Sequence, residues 1–533
     1  MKLLFQFLFL VNTLNCVAQN PSIVWQKTLG GSFYDSSNKI LKDELSNALF
    51  LIGSSNSNTS FDKSEDRRGE RDIWVIKTSL DGSVLWDKTI GGSANDFSVS
   101  ALIDGDLLYI LTASLSPASG DKTSESYGLM DYWLVCLDFD GNIIWDRSYG
   151  GENTDSPKSM IRLKNGNLLL AGSSMSGVSG NKSTLSKGET DYWIVEVNPA
   201  DGSVISQKSI GTNAFDNLFS VTQDDLGNLY LAGTSFVGAD GDKTDPGYGS
   251  DDVWIVKIDE DYTIISDKCF GGSDNEDQIG EIVILNEKLY LLNSTSSSIS
   301  GNKTSENFGQ QDYWLVKINL DLTVIWDKSF GGNNFDRPYS ILSQPADKLI
   351  LMGTSHSDIS GNKTAVSYGE STDIWMVIVD KDGNEIGQET YGGDSDDWAS
   401  SVVGDNHGLL YVLGGSESGI SGVKTENNKG ASDYWLLKLD ATDFLSVDKI
   451  EVENGITVYP NPYTNTVNFV VGAHSEPLLL SLYSLDGKIV FQTLIPTEMN
   501  HFVWDADTEM NQILIFEIRS NEELVTGKLV RGY

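Results

Sequence analysis

Three carboxylates and a tryptophan fall within five residues at Asp394-Ser-Asp396-Asp397-Trp398. Oxygens at that density can converge on a divalent cation, Ca²⁺ being the natural candidate. The indole beside them offers a flat apolar face to a ligand. These four residues are the candidate ligand-binding group. A second acidic series recurs along the chain at Asp35, Asp96, Asp155, Asp216, Glu276/Asp277, Asp336 and Asp397. These carboxylates either ring one face of the molecule or cap backbone amides in their own turns, as Asp commonly does. Gly-[Asn/Asp]-Lys-[Thr/Ser] recurs at residues 120–123, 180–183, 241–244, 301–304 and 361–364, with degenerate copies at 61–64 and 422–425. A phosphate loop needs glycine next to the lysine and a helix after it, and neither is present. Asp138-Phe-Asp140-Gly141-Asn142 opens like a calcium loop but lacks the downstream bidentate glutamate, and its Asp-Gly pair suits a tight hairpin.

Catalytic patterns are sparse. The histidines are His356, His407, His474 and His501, none at metal-ligand spacing, and no Gly-x-Ser-x-Gly elbow occurs. Carboxylate pairs could serve a glycosidase, but 76 acidic residues make chance pairs certain. No catalytic residue, resident metal or cofactor is therefore assigned. Arg67-Arg68-Gly-Glu70-Arg71, Pro246, Arg337-Pro338 and His356 join Asp394–Trp398 as departures from an otherwise regular pattern. Loops that leave a repeat are where function concentrates.

That pattern is a repeat of about sixty residues, marked by Asp-x-Trp at Asp72/Trp74, Asp131/Trp133, Asp191/Trp193, Asp252/Trp254, Asp312/Trp314, Asp373/Trp375 and Asp433/Trp435. Successive tryptophans stand 59, 60, 61, 60, 61 and 60 residues apart. Each copy reads as four short strands of β-branched and aromatic residues without helical periodicity, the pattern of a propeller blade. The turn within a copy is often Asp-Gly, at 81–82, 140–141, 201–202 and 382–383. The repeats begin at residues 23–30 with an unpartnered strand of the type that follows Asp-x-Trp. They end at Asp433–Asp440 without that strand. Pairing the two ends completes a seventh blade and removes the exposed edges of an open array. The expected fold is all-β: a seven-bladed β-propeller over residues 22–441 closed by the N-terminal strand, a linker at 442–455, and a small C-terminal β-sandwich over 456–533. The seven tryptophans are expected to pack between neighbouring sheets. With usual propeller wiring, the Gly-Gly loops and the Gly-Asn-Lys-Thr loops emerge on one face, the candidate binding surface.

The chain has 533 residues and a net charge of −39, which repels nucleic acid and anionic membrane and favours a solvated surface. Residues 1–18 read as a signal peptide, with Lys2 before a short apolar run and cleavage after Ala18. Acylation at Cys16 is the alternative, with Asn15 a poor fit before it. No later stretch is long and apolar enough to span a membrane. Cys136 and Cys269 fall in different strand types two copies apart and are expected to be free buried thiols.

Two resemblances follow from these motifs. The Asp-x-Trp strand, the Gly-Gly after the next strand, and Gly53, Gly172, Gly233 and Gly353 resemble the seven-bladed propeller repeats of secreted bacterial proteins. The final segment, with Tyr459, Pro460, Asn461 and Pro462, then Leu482-Tyr-Ser-Leu-Asp-Gly-Lys-Ile, then Gly527, Lys528 and Arg531, resembles the type A C-terminal sorting domain of the type IX secretion system of Bacteroidota. That resemblance implies the secretion machinery as partner and an extracellular location, released or attached to the outer-membrane surface. The functional expectation is a monomeric, non-catalytic binding scaffold for a glycan, protein or cation. The alternative is an extracellular carbohydrate-active hydrolase or lyase with its site at the propeller mouth.

Overall fold

The computed structural model describes residues 21–530, apart from 237, 275–277, 346, 406–407, 446–449, 453–455, 460–465, 472–476, 485–487, 498, 500, 506–512 and 521–523. The signal segment 1–18 and the motif residues Pro460, Asn461, Pro462 and Arg531 lie outside this set, as do Glu276, Asp277, His407 and His474.

The first repeat shows how the sheets are built. Strands β2 (Asp35–Asp43), β3 (Ala48–Ser55), β4 (Asp72–Ser79) and β5 (Val84–Ile90) pair in chain order as one antiparallel sheet. The same order recurs within residues 96–149, 155–210, 216–270, 278–330 and 336–391. A further sheet takes Asp397–Gly404, Leu409–Ser416 and Asp433–Asp440 from the end of the repeats. Its fourth strand is β1 (Ser22–Leu29), paired antiparallel with Ser22 opposite Asp440 and Leu29 opposite Tyr434. Strand β2 packs beside both Asp96–Asp104 and Asp397–Gly404. The chain is a β-propeller repeat protein.

Middle strands such as β3 and β4 are buried on both faces, which is why they read as continuous apolar runs. All seven Asp-x-Trp tryptophans, Trp74, Trp133, Trp193, Trp254, Trp314, Trp375 and Trp435, are fully buried. Trp314 shows their setting: it shares an apolar cluster with Tyr230, Ala232, Val253 and Ile255 of the preceding sheet. In four sheets the residue before the tryptophan is Tyr, and its hydroxyl bonds to the next sheet. The hydroxyls of Tyr132, Tyr192, Tyr313 and Tyr434 donate to the backbone oxygens of Trp193, Trp254, Trp375 and Trp74, at 3.0–3.2 Å. Gly172, Gly233, Gly353 and Gly53 lie under those hydroxyls, where a Cβ would collide with them. Where the tyrosine is Ile73 or Val253, the glycine's register position holds Thr112 or Asn293, whereas Gly414 is kept against the Cδ1 of Ile374. The glycine therefore makes room for the neighbouring sheet's tyrosine.

A second exchange of volume runs around the outer edge. Trp25, Trp86, Trp145 and Trp326 each pack against a turn glycine of the following sheet: Gly82, Gly141, Gly202 and Gly383. In two sheets Ser206 or Ser266 replaces that tryptophan. The following turns then carry Tyr262 and Leu322, both buried and both at positive φ, 60° and 68°. Side chains seldom tolerate that backbone region, and burial of their bulk offsets the strain. At the remaining site Gly387 stands for the tryptophan, and Phe444 fills the space from a helical turn, Thr442–Leu445. The segment read as a linker thus opens with residues packed into the last sheets.

Cys136 and Cys269 are buried and unbridged. Beyond the repeats lie two more four-stranded sheets. One contains Ile450–Val452, Ile456–Tyr459, Thr466–Val470 and His501–Asp505. The other contains Ile489–Ile495, Leu478–Ser484, Ile513–Arg519 and Leu524–Val530. Alternate residues, among them Val467, Phe469, Leu480, Leu482, Leu514 and Phe516, share one apolar cluster. Tyr459 ends its strand, and Gly527 and Lys528 lie within the last one.

The edge exchange can be tested by a double-mutant cycle in guanidinium unfolding. Ser206→Trp is expected to cost about 1–3 kcal/mol by overpacking against Tyr262. Tyr262→Gly is expected to cost about 3 kcal/mol by leaving a void. Together they should recover at least about 1 kcal/mol of coupling. Simple additivity would mean that the two side chains do not share the space.

Candidate functional site

The recurring charged residues turn inward. Asp35, Asp96, Asp155, Asp216, Asp336 and Asp397 are buried. Each carboxylate accepts the amide four residues earlier, from Gly31, Gly92, Gly151, Thr212, Gly332 and Gly393, at 2.6–2.8 Å. They cap their own turns. The Asp-x-Trp aspartates likewise accept loop amides, including those of Tyr127, Lys187 and Tyr368. The loop lysines are also interior: Lys63, Lys122, Lys182, Lys363 and Lys424 are buried, with Nζ 5.6–6.0 Å from the centroids of Trp74, Trp133, Trp193, Trp375 and Trp435.

Each tryptophan Nε1–H donates to an outer-strand residue. Trp74, Trp133, Trp254 and Trp314 donate to Asp87, Asp146, Asp267 and Asp327 at 2.9 Å. Trp193, Trp375 and Trp435 donate to Gln207, Gln388 and Gln26 at 3.0–3.3 Å. With its ring buried and its one donor engaged, Trp314 has no face to offer a ligand. The same holds for the other six, so none of the seven is available as a stacking platform.

Burial strains these charges. Desolvation lowers Lys63 and Lys424 to about 8, against the pull of Asp87 and Asp397 respectively. Desolvation, with like charge from Asp336 and Asp397 in the next sheet, raises Asp312 and Asp373 to about 7. Asp433 rises to about 6 from the same causes, its neighbour being Asp35.

The Gly-Gly and Gly-Asn-Lys-Thr loops do meet on one face: the Asp62 amide donates to Gly30 O, and Gly31 lies against Ser57 and Ser60. On that face the departures from the repeat come together. Arg337, His356, Asp396 and Trp398 line one pocket of about 530 Å³ with Asn334, Phe335, Tyr339, Thr354 and Thr372. It lies between two neighbouring sheets. Arg337 extends over Phe335, its guanidinium carbon 5.1 Å from the ring centroid, with Nε held by Gln311 Oε1 at 2.7 Å. Asp396 Oδ1 accepts Thr372 Oγ1–H at 2.8 Å. Trp398 is half-buried across from Gly415, whose missing side chain leaves room for the indole. The four residues of the acidic cluster separate: Asp394 is held by Ser421 at 2.8 Å, Asp397 is buried in its turn, and only Asp396 and Trp398 reach the pocket. Among the described residues no group of three His, Cys, Asp or Glu side chains could hold a metal ion. Two further motif residues, Arg68 and Asp138, are engaged outside the pocket. Arg68 pairs with Glu65 and Asp121. Asp138 accepts the amides of Asp140 and Asn142, with Gly141 at φ 83°, the hairpin.

A second cavity, about 600 Å³, runs between the first strands of the sheets. Every first strand shifts register at one bulged residue: Asn38, Val99, Lys158, Phe219, Gly280, Tyr339 and Ser400. A bulge re-aims the side chain it carries, and all seven residues line this channel. Lys39 and Glu281 reach across it from different sheets and pair at 3.2 Å. Tyr339 and Trp398 line both cavities. Sequence reasoning missed the channel residues, although a signal was present: the third position after the Gly-Gly aspartate differs in every copy, while the next is serine in five of the seven.

Melting temperature is expected to fall as pH rises from about 5 to 8. A carboxylate raised to about 7 keeps its proton in the folded chain where the unfolded chain has released it, so its stabilising difference is lost as pH climbs through that value. Asp373→Asn retains an acceptor for the Tyr368 amide and should flatten the profile. An unchanged slope would assign the titration to other groups.

No protein-family model matches the chain, and no curated protein does. Solved structures similar in shape include the Pan2 WD40 domain of Neurospora crassa (10% identity, TM-score 0.41, 77% of this chain and 95% of that one). The WD40 β-propeller domain of Doa1 is similar at 8% identity and TM-score 0.40, covering 78% of this chain and 95% of that one. The phage phi92 endosialidase is similar at 14% identity and TM-score 0.40, covering 96% of this chain and 88% of that one. At these scores the likenesses carry no argument about what the chain binds or does.

Proposed function

We propose that this chain is a secreted or cell-surface binding protein. Its seven four-stranded sheets form one ring of seven blades closed by β1, which displays a glycan-binding pocket on its loop face. One observation carries the reading: residues that break the repeat at Arg337, His356, Asp396 and Trp398, far apart in sequence, line a single pocket. Phe335, Tyr339 and Trp398 offer flat apolar faces to a sugar ring, and Arg337, His356, Thr372 and Asp396 offer polar groups to its hydroxyls. Pockets for small ligands combine such walls with a few convergent polar groups. The binding reading also draws on the carboxylates. Asp396 is the acid of the face pocket. Glu281, the acid of the channel, is engaged by Lys39, Ser340 and the Ile341 amide. A glycosidase of the common kind uses two carboxylates flanking one bond.

Export through the type IX system of a Bacteroidota cell completes the proposal. It rests on the resemblance of the final segment to the type A sorting domain. The separate apolar cluster of that segment suits a module with its own core. Removing residues 456–533 is expected to leave the protein in the periplasm of a Bacteroidota host, read by fractionation. Extracellular recovery of the truncated chain would remove this part of the proposal.

The binding reading is tested by titrating the full chain against a polysaccharide and oligosaccharide panel. A saturable glycan ligand is expected, with Trp398→Ala and Arg337→Ala each weakening it at least about tenfold, a loss of ~1.4 kcal/mol. Binding by neither wild type nor variants would overturn it. Release of reducing ends from the bound glycan would move the assignment to the hydrolase alternative.

A further inference from the structure

The protein buries a lysine beneath the Asp-x-Trp tryptophan in sheet after sheet, and each has carboxylates at hand: Lys63 has Asp35, Asp72 and Asp87, and Lys363 has Asp336 and Asp373. Lys158 breaks this rule. It projects from a bulge into the axial channel, with Nζ 5.6 Å from the Phe219 ring centroid. Its side chain is open to the space of the channel. Among the described residues no hydrogen bond or ion pair reaches it. The other channel cation, Lys39, is already matched by Glu281. The lining therefore keeps one uncompensated positive charge, inside a chain whose net charge is −39. The surrounding channel walls lower the Lys158 pKa by desolvation, with no neighbouring acid acting against that shift. A chain with 76 acidic residues could have supplied a partner at any of the bulged positions. Those positions carry Asn38, Val99, Phe219, Gly280, Tyr339 and Ser400 instead.

We propose that the axial channel is a second binding site, for a small hydroxylated monocarboxylate of the sugar-acid type, whose carboxylate supplies the counter-ion that Lys158 lacks. One free ammonium balances one negative charge, which selects a monoanion over a phosphate dianion. The serines of the lining select for hydroxyls. The Ser100 and Ser159 side chains are half-buried, their hydroxyls with no hydrogen-bond partner among the described residues, and Ser37 and Ser400 pair with each other at 2.8 Å. Phe219 and Tyr339 give the ring an apolar wall. About 600 Å³ lies within the range of small-ligand pockets. The channel shares Tyr339 and Trp398 with the face pocket, but Lys158 lines only the channel, and Arg337 and His356 line only the face pocket.

Calorimetric titration of the full chain with glucuronate and galacturonate, against glucose and galactose, tests the proposal. A uronate is expected to bind saturably, and the neutral sugars at least about 30-fold more weakly, since removing one partner of a desolvated ion pair is costly. Lys158→Met should lose the uronate by a similar factor, Lys158→Arg should keep measurable binding, and Arg337→Ala and His356→Ala should bind it as the wild type does. If Lys158→Met melts earlier than the wild type, Lys158→Gln takes its place. Equal binding of neutral sugars, no saturable uronate binding, or full binding by the Lys158 variants would each overturn the proposal. So would loss in Arg337→Ala with retention in Lys158→Met, which would put the anion in the face pocket. Failure of the glycan panel at the face pocket would leave this result untouched.

Discussion

The structure depends on the seam between neighbouring sheets, where a buried tryptophan is held by charges that would be costly alone. The indole N–H donates to an outer-strand carboxylate or amide, and a lysine lies over the ring. Inner-strand carboxylates clamp the Gly-Gly turn and the long loop through their amides. An isolated buried ion would unfold such a seam; here each is matched by opposite charge or donors. The cost remains visible in aspartates driven up to about 7 and lysines down to about 8. It explains why Asp, Lys, Trp and Gly-Gly recur together: removing one leaves the others desolvated and unpaired.

With its rings buried and its indole donors engaged, the seam leaves little for a ligand. Variation collects where the seam makes no demand. The residue after the Gly-Gly aspartate and the bulged residue two further on are such places. The former becomes Arg337 or Trp398 in the face pocket. The latter is bulged into the channel and becomes Lys158, Phe219 or Tyr339. A regular scaffold with two unconstrained positions per sheet can present quite different chemistry in its two cavities without altering its strands.

Copies of the repeat are also coupled to one another by volume. A tryptophan in one sheet is answered by a glycine in the next, a serine by Tyr262 or Leu322, and Gly387 by Phe444. Two of these answers require positive φ in residues other than glycine. Local strain is accepted because close packing penalises a void at the edge of a sheet more heavily. Each copy is thus fitted to its successor, and none is interchangeable with the next.

Much of the fold was legible in the sequence, because strand periodicity, turn glycines and the Asp-x-Trp period are local properties repeated often enough to be unmistakable. Even the pairing of Ser22–Leu29 with Asp433–Asp440 could be read, since each end carries the strand type that the other lacks. The site was legible only as a set of exceptions. Arg337, His356 and Trp398 stood out as breaks in the pattern, but their meeting in one pocket depends on the adjacency of two sheets. The cluster Asp394-Ser-Asp396-Asp397-Trp398 looked like one group, yet strand alternation sends Asp397 into its turn and Trp398 into the pocket. The recurring lysines read as loop residues and proved to be interior, because burial is decided by which groups the neighbouring strands bring near. The sequence by itself determined the strands, their order and the repeated seam, all carried by short-range pattern. Only the tertiary structure decided which side chains share a cavity, because bulges and sheet-to-sheet packing set side-chain direction and leave no period in the chain.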